Sequence, residues 1–122
     1  MPLYYASLKV SDIARSASFY DAVLAPLGWR RQEDGPTAIG WGLIRAAEFF
    51  ITRDESQRPG FGLVSFPAKS IPAVKASYAS GIENGGQPAA EPGSSPAHGS
   101  GSYAARVMDP DGYLIEIAVV ND

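Results

Sequence analysis

Glu116 interrupts an otherwise apolar run near the end of the chain, Tyr113-Leu114-Ile115-Glu116-Ile117-Ala118. In an extended segment it shares a face with Leu114, Ala118 and Val120, opposite the heavier face of Tyr113, Ile115, Ile117 and Val119. Two readings compete. The residue is an outward, edge-protecting charge, or a desolvated carboxylate in a cleft that acts as a general base or receives the polar end of a ligand. Tyr5 offers a phenol, or simply packs its ring and wets its hydroxyl. Arg106 could pair with Glu116, meet an anionic substrate or reach solvent; its facing is open. His98 lies in a Gly/Pro/Ser-rich stretch, either solvated or on a lid over a ligand.

Composition removes whole classes of chemistry. The 122 residues include no cysteine and one histidine. Disulfides, thiolate nucleophiles, iron–sulfur clusters and cysteine zinc sites are excluded. So are a three-histidine zinc site and a two-histidine, one-carboxylate iron site within one chain. A net charge of −3 with scattered Lys and Arg has no footprint for nucleic acid. No apolar run approaches the roughly 20 residues of a membrane helix, and no signal-peptide core opens the sequence, so a cytoplasmic protein is expected. No phosphate loop, dinucleotide fingerprint or nucleophile elbow is present.

The elements that must position these side chains repeat. Residues 3–10 predict a strand, with Tyr4, Ala6, Leu8 and Val10 toward a helix and Tyr5 and Ser7 on the other side. Ser11 and Asp12 supply N-cap oxygens to a helix whose apolar positions are Ile13, Ala17, Tyr20, Val23, Leu24 and Leu27, ended by Pro26 and Gly28. Extended pieces follow at about 29–33, 38–44 and 47–52, then a connector at 53–60. A second round predicts a strand at 61–66 and a helix capped by Ser70 with Ile71, Val74, Tyr78 and Ile82 on its apolar face. After an irregular stretch over 86–102, strands at 103–108 and 113–120 flank the turn Asp109-Pro110-Asp111-Gly112.

A shift of 58 residues sets Leu8 on Phe66, Ile13 on Ile71, Tyr20 on Tyr78 and Gly28 on Gly86. The chain reads as one α+β domain over 1–122 with two similar modules, about 1–55 and about 60–122. The faces turned from the helices combine Glu48, Phe50, Phe61, Leu63, Ser65 and Glu116, a mixture suited to a small-molecule cleft. Phe50 and Leu63 would be walls, Phe61 a stacking surface, and Trp41 a residue near the mouth.

Two segments resemble the glyoxalase/bleomycin-resistance/dioxygenase (vicinal oxygen chelate) superfamily. One is Val10-Ser11-Asp12-Ile13-Ala14-Arg15-Ser16 with Phe19 to Leu24 and Leu27-Gly28-Trp29. The other is Tyr103 to Val107 with Asp109-Pro110-Asp111-Gly112-Tyr113-Leu114-Ile115-Glu116-Ile117. The resemblance implies two βαβββ modules forming a curled, incompletely closed mixed sheet around a central cavity, commonly in a homodimer. Metal-dependent members draw ligands from the first strand of each module and from the last strand. Those positions fall on Tyr5, Leu63 and Glu116, with a further one near Phe50; only Glu116 keeps a ligand. The resemblance thus implies a degenerate metal site and a cofactor-free small-molecule binder anchored by Glu116 and Tyr5 in an apolar pocket. The alternatives are a lyase, isomerase or dioxygenase using Zn, Ni, Mn or Fe, in which a dimer brings His98 and Glu48 to Glu116, and an interaction module with a vestigial pocket.

Overall fold

The computed structural model describes residues 6–54, 63–96, 99 and 101–119. Strand β1 (Ala6–Val10) leads into α1 (Ile13–Leu24), where the Asp12 carboxylate caps the first turn by accepting from the Arg15 N–H at 3.1 Å. A 3₁₀ turn (Ala25–Leu27) then ends on Gly28 at φ 88°, a conformation that favours glycine. Strands β2 (Arg30–Asp34), β3 (Ala38–Gly42) and β4 (Phe49–Arg53) complete a sheet of order β1-β4-β3-β2, with β1 parallel to β4 and the other pairs antiparallel.

The second module repeats this plan. Strand β5 (Leu63–Pro67) precedes α2 (Ile71–Glu83), capped by the Ser70 hydroxyl accepting from the Ala73 N–H at 3.2 Å. Strands β6 (Gln87–Ser94), β7 (Tyr103–Met108) and β8 (Leu114–Val119) form a sheet of order β5-β8-β7-β6. The protein is α+β with two βαβββ modules, and among the described residues no ladder joins the two sheets. Among the described residues no helix is long and apolar enough to cross a membrane.

The alternation of each strand decides what enters the core. Val10, Ile39, Phe49 and Ile51 of the first sheet and Phe66, Ala105, Val107, Ile115 and Ile117 of the second are buried. The helices lie between these faces and touch one another, with the Ser77 hydroxyl donating to the Val23 carbonyl at 2.7 Å. Phe19, absent from the helical pattern read in the sequence, is fully buried. The rings of Phe49 and Phe66, one from each module, meet edge to face at 5.1 Å.

A polar joint also ties the modules together. The turn between β7 and β8 points Asp109 at the Tyr20 hydroxyl, which donates to Oδ2 at 2.5 Å. Oδ1 of Asp109 accepts from the N–H groups of Asp111 and Tyr113, each at 2.9 Å. Asp111 accepts from the Ser11 N–H at 3.1 Å and from the Ser11 hydroxyl, and the Tyr113 hydroxyl donates to the Lys9 carbonyl at 2.9 Å. The last hairpin therefore grips the β1–α1 corner of the first module. Burial raises the Asp109 carboxyl above its ordinary value; the donors from Tyr20, Tyr113 and Asp111 offset only part of that rise.

Three expectations are corrected. The stretch 86–102 is not irregular throughout, because Gln87–Ser94 forms β6. Its prolines are tolerated because β6 is an edge strand and its register shifts between Pro88 and Ala90 and again before Gly93. The third strand stops at Gly42, since the chain folds back so that Ala46 crowds that position. The 58-residue correspondence drifts at the second helix end, where the left-handed glycine is Gly85, φ 101°, rather than Gly86.

Candidate functional site

Strand β8 lies between β5 and β7, so Glu116 is central in its sheet and does not protect an edge. Register places Ser65 of β5 and Arg106 of β7 on either side of it, forming one cross-strand row on the face turned from the helices. This settles the facing of Arg106. The Ser65 hydroxyl donates to Glu116 Oε1 at 2.9 Å, and Arg106 Nε donates to Oε2 at 3.1 Å. The Glu116 side chain is 2% exposed, whereas that of Arg106 is 43% exposed. A carboxylate this buried needs such a cation and such donors to offset its lost hydration.

A cleft of about 190 Å³ opens over this row, lined by Ala90, Glu91, Gly93, Ser94 and Ser95 on one side and by Ala104, Ala105, Arg106 and Glu116 on the other. Its described walls mix alanines and a glycine with serines and the charged Glu91, Arg106 and Glu116. Strand alternation places Ser65 on the cleft face without a role of its own, and Glu91 is a site residue that sequence reasoning did not single out. What the sequence does not show for Ser65 is its register opposite Glu116; Glu91 depends on the bulged course of β6.

The remaining candidates separate. Leu63 lies on the open face of the second sheet, opposite Leu114 and 41% exposed. Phe50 belongs to the first sheet, in a row with Ser7 and Gly40, and its ring covers Gly40 so closely that a Cβ there would stand 2.6 Å from Cε2. Glu48 is exposed in the β3–β4 loop, beside a different cleft lined by Leu43, Ile44, Arg45 and Ala46. Trp41 is not at a pocket mouth. It is buried toward α1, donating from Nε1 to Asp21 at 2.9 Å, because its strand register puts it on the helix side with Phe49. Tyr5, Phe61 and His98 lie outside the described residues.

The described residues do not fit a metal centre. Leu63 and Phe50 offer no lone pair, and both oxygens of Glu116 already accept from Ser65 and Arg106. A cation at Glu116 would face the Arg106 guanidinium across the same carboxylate. Among the described residues no group of three or more His, Cys, Asp or Glu converges.

The paired four-stranded modules and the buried last-strand carboxylate define the class of protein. The family model of the Glyoxalase/Bleomycin resistance protein/Dioxygenase superfamily matches residues 3–117, and the chain belongs to that superfamily. The fold is shared with a glyoxalase/bleomycin resistance protein from Albidiferax ferrireducens T118, at 29% identity and a TM-score of 0.82 over 97% of this chain and 98% of that one. A glyoxalase/bleomycin resistance protein/dioxygenase family enzyme from Burkholderia phytofirmans PsJN superposes at 20% identity and a TM-score of 0.76, over 99% and 100%. The fosfomycin resistance protein FosX from Mesorhizobium loti does so at 11% identity and 0.69, over 98% and 92%; these last two show the fold alone. No curated protein sequence matches the chain significantly.

Proposed function

We propose that this superfamily member binds a small molecule on the open face of its second sheet, through the row Ser65–Glu116–Arg106 and without a metal at Glu116. The observation that carries this reading is the state of Glu116. Its two oxygens are held by a hydroxyl and a guanidinium, and a solvent-facing cleft lies directly over the pair. A carboxylate so engaged is poorly placed to take a proton from a substrate and well placed to hold Arg106 in one orientation. Glu116 is then a positioning residue and Arg106 the contact residue. Tyr5 remains the second anchor on the strength of the family resemblance, and a cytoplasmic homodimer is part of the same proposal.

The test is metal content after incubation with Zn, Ni, Mn and Fe(II) and dialysis, alongside a thermal-shift screen of small molecules. Retention far below one metal per chain, with ligands that raise Tm in the wild type and not in Glu116→Gln, supports the reading. Near-stoichiometric metal overturns it in favour of a metal-dependent lyase, isomerase or dioxygenase.

A further inference from the structure

Arg106 uses its Nε–H on Glu116, and its two terminal amino groups make no hydrogen bond to any described residue. Five N–H donors sit on a planar guanidinium, so four remain. The plane is fixed from behind by a carboxylate that is itself fixed by Ser65. A planar, pre-oriented fork matches a carboxylate through two parallel, charge-assisted bonds better than it matches a neutral carbonyl. The charges of the cleft narrow the choice further. Among the described lining residues Glu116 cancels Arg106, and Glu91, on the strand paired with that of Arg106, leaves one net negative charge. A phosphate dianion meets about twice the repulsion that a monoanion does, and a monoanion that also carries a hydrogen-bond donor can satisfy both Arg106 and Glu91.

We infer that the cleft takes a small monocarboxylate whose carboxylate lies against the outer edge of Arg106 and whose far end donates a hydrogen bond to Glu91. This rests on the ligand-binding reading above and names its ligand class.

The experiment is an NMR titration of the ¹⁵N-labelled full chain with benzoate, 4-aminobenzoate, benzamide and inorganic phosphate, following the amides of Ala90, Ala104 and Arg106. Benzoate and 4-aminobenzoate should shift these signals, 4-aminobenzoate the more tightly, with benzamide weaker by about tenfold, the loss of a charge-assisted bond. Arg106→Lys retains a cation over Glu116, so the fold survives while the fork is lost; carboxylate affinity should drop about fivefold or more and benzamide affinity should not. Glu91→Gln, at an exposed position, should weaken 4-aminobenzoate toward benzoate. Equal binding of benzoate and benzamide, phosphate binding as tightly as benzoate, or an Arg106→Lys chain with unchanged carboxylate affinity would each overturn the carboxylate inference and leave the ligand-binding reading standing. If no compound of the wider thermal-shift screen moves these signals either, both fall.

Discussion

Phe50 and Glu116 occupy the same place in the two modules. Each stands opposite a serine of the module's first strand, Ser7 for Phe50 and Ser65 for Glu116, and each has a third-strand neighbour, Gly40 or Arg106. One module fills this row with an aromatic ring lying over a glycine. The other fills it with a hydroxyl, a carboxylate and a guanidinium. The same backbone position is therefore closed by packing on one side and left chemically addressable on the other.

The charged row makes its two members unequal in mutation. Arg106→Ala strips a buried carboxylate of its cation and should cost about 3 kcal/mol, the low end for a broken buried pair because Arg106 is partly solvated. Glu116→Gln keeps an oxygen for Ser65 and should cost about 1 kcal/mol. Urea unfolding of both variants checks this, and equal losses would refute the pairing as the source of stability.

The apolar row predicts coupling. Gly40→Ala drives a Cβ to 2.6 Å from both the Phe50 ring and the Ala47 methyl, and should destabilise by about 1–3 kcal/mol. Phe50→Leu removes the nearest ring atoms, so the double variant should recover part of that loss. A double-mutant cycle measures it; strict additivity would mean the ring is not the obstacle.

Tyr20→Phe removes the donor to Asp109 inside the core and should cost about 1–3 kcal/mol, read as a lower urea midpoint at unchanged slope. A variant indistinguishable from wild type would show that the aromatic contact between modules holds them without the polar joint.

Asp109 and Asp21 should give opposite pH signatures. Burial raises the Asp109 carboxyl, so between its ordinary value and the raised one the native state binds more protons than the unfolded chain. Its contribution therefore falls as pH rises through that interval. At Asp21 burial alone would raise the carboxyl, but hydrogen bonds from Arg31 and Trp41 outweigh it and lower it. The stability it supplies is present above the ordinary value and lost as pH falls through the lowered one. Unfolding titrations of Asp109→Asn should show the wild type gaining on the variant from neutral pH toward about pH 4. Those of Asp21→Asn should show it losing below that.

What the sequence makes legible is what depends on local chemistry. The N-caps at Asp12 and Ser70, the alternation that buries Phe49, Ile51, Ile115 and Ile117, and the turn at Asp109–Gly112 all follow from neighbours within a few residues. Strand β6 is hidden because an edge strand with bulges needs no apolar alternation and tolerates Pro88 and Pro92. Arg106 acquires its facing only from its register against β8, and Ser65 acquires its role only from being set opposite Glu116. Asp109 reads as a turn former in sequence; its second job is set by Tyr20, 89 residues away. Trp41 reads as pocket-lining from its glycine neighbours, yet its partner Asp21 lies on the other face.

The grip of the last hairpin on the first corner also sets an order of events during synthesis. Ser11 and Asp111 are 100 residues apart. The β1–α1 corner emerges well before these partners and cannot acquire them until about a hundred further residues have been made. Contacts of such high sequence separation fold slowly and leave the earlier module exposed meanwhile. A nascent chain halted before Asp109 lacks the joint altogether, so native protection of β1 should arrive only with the final hairpin.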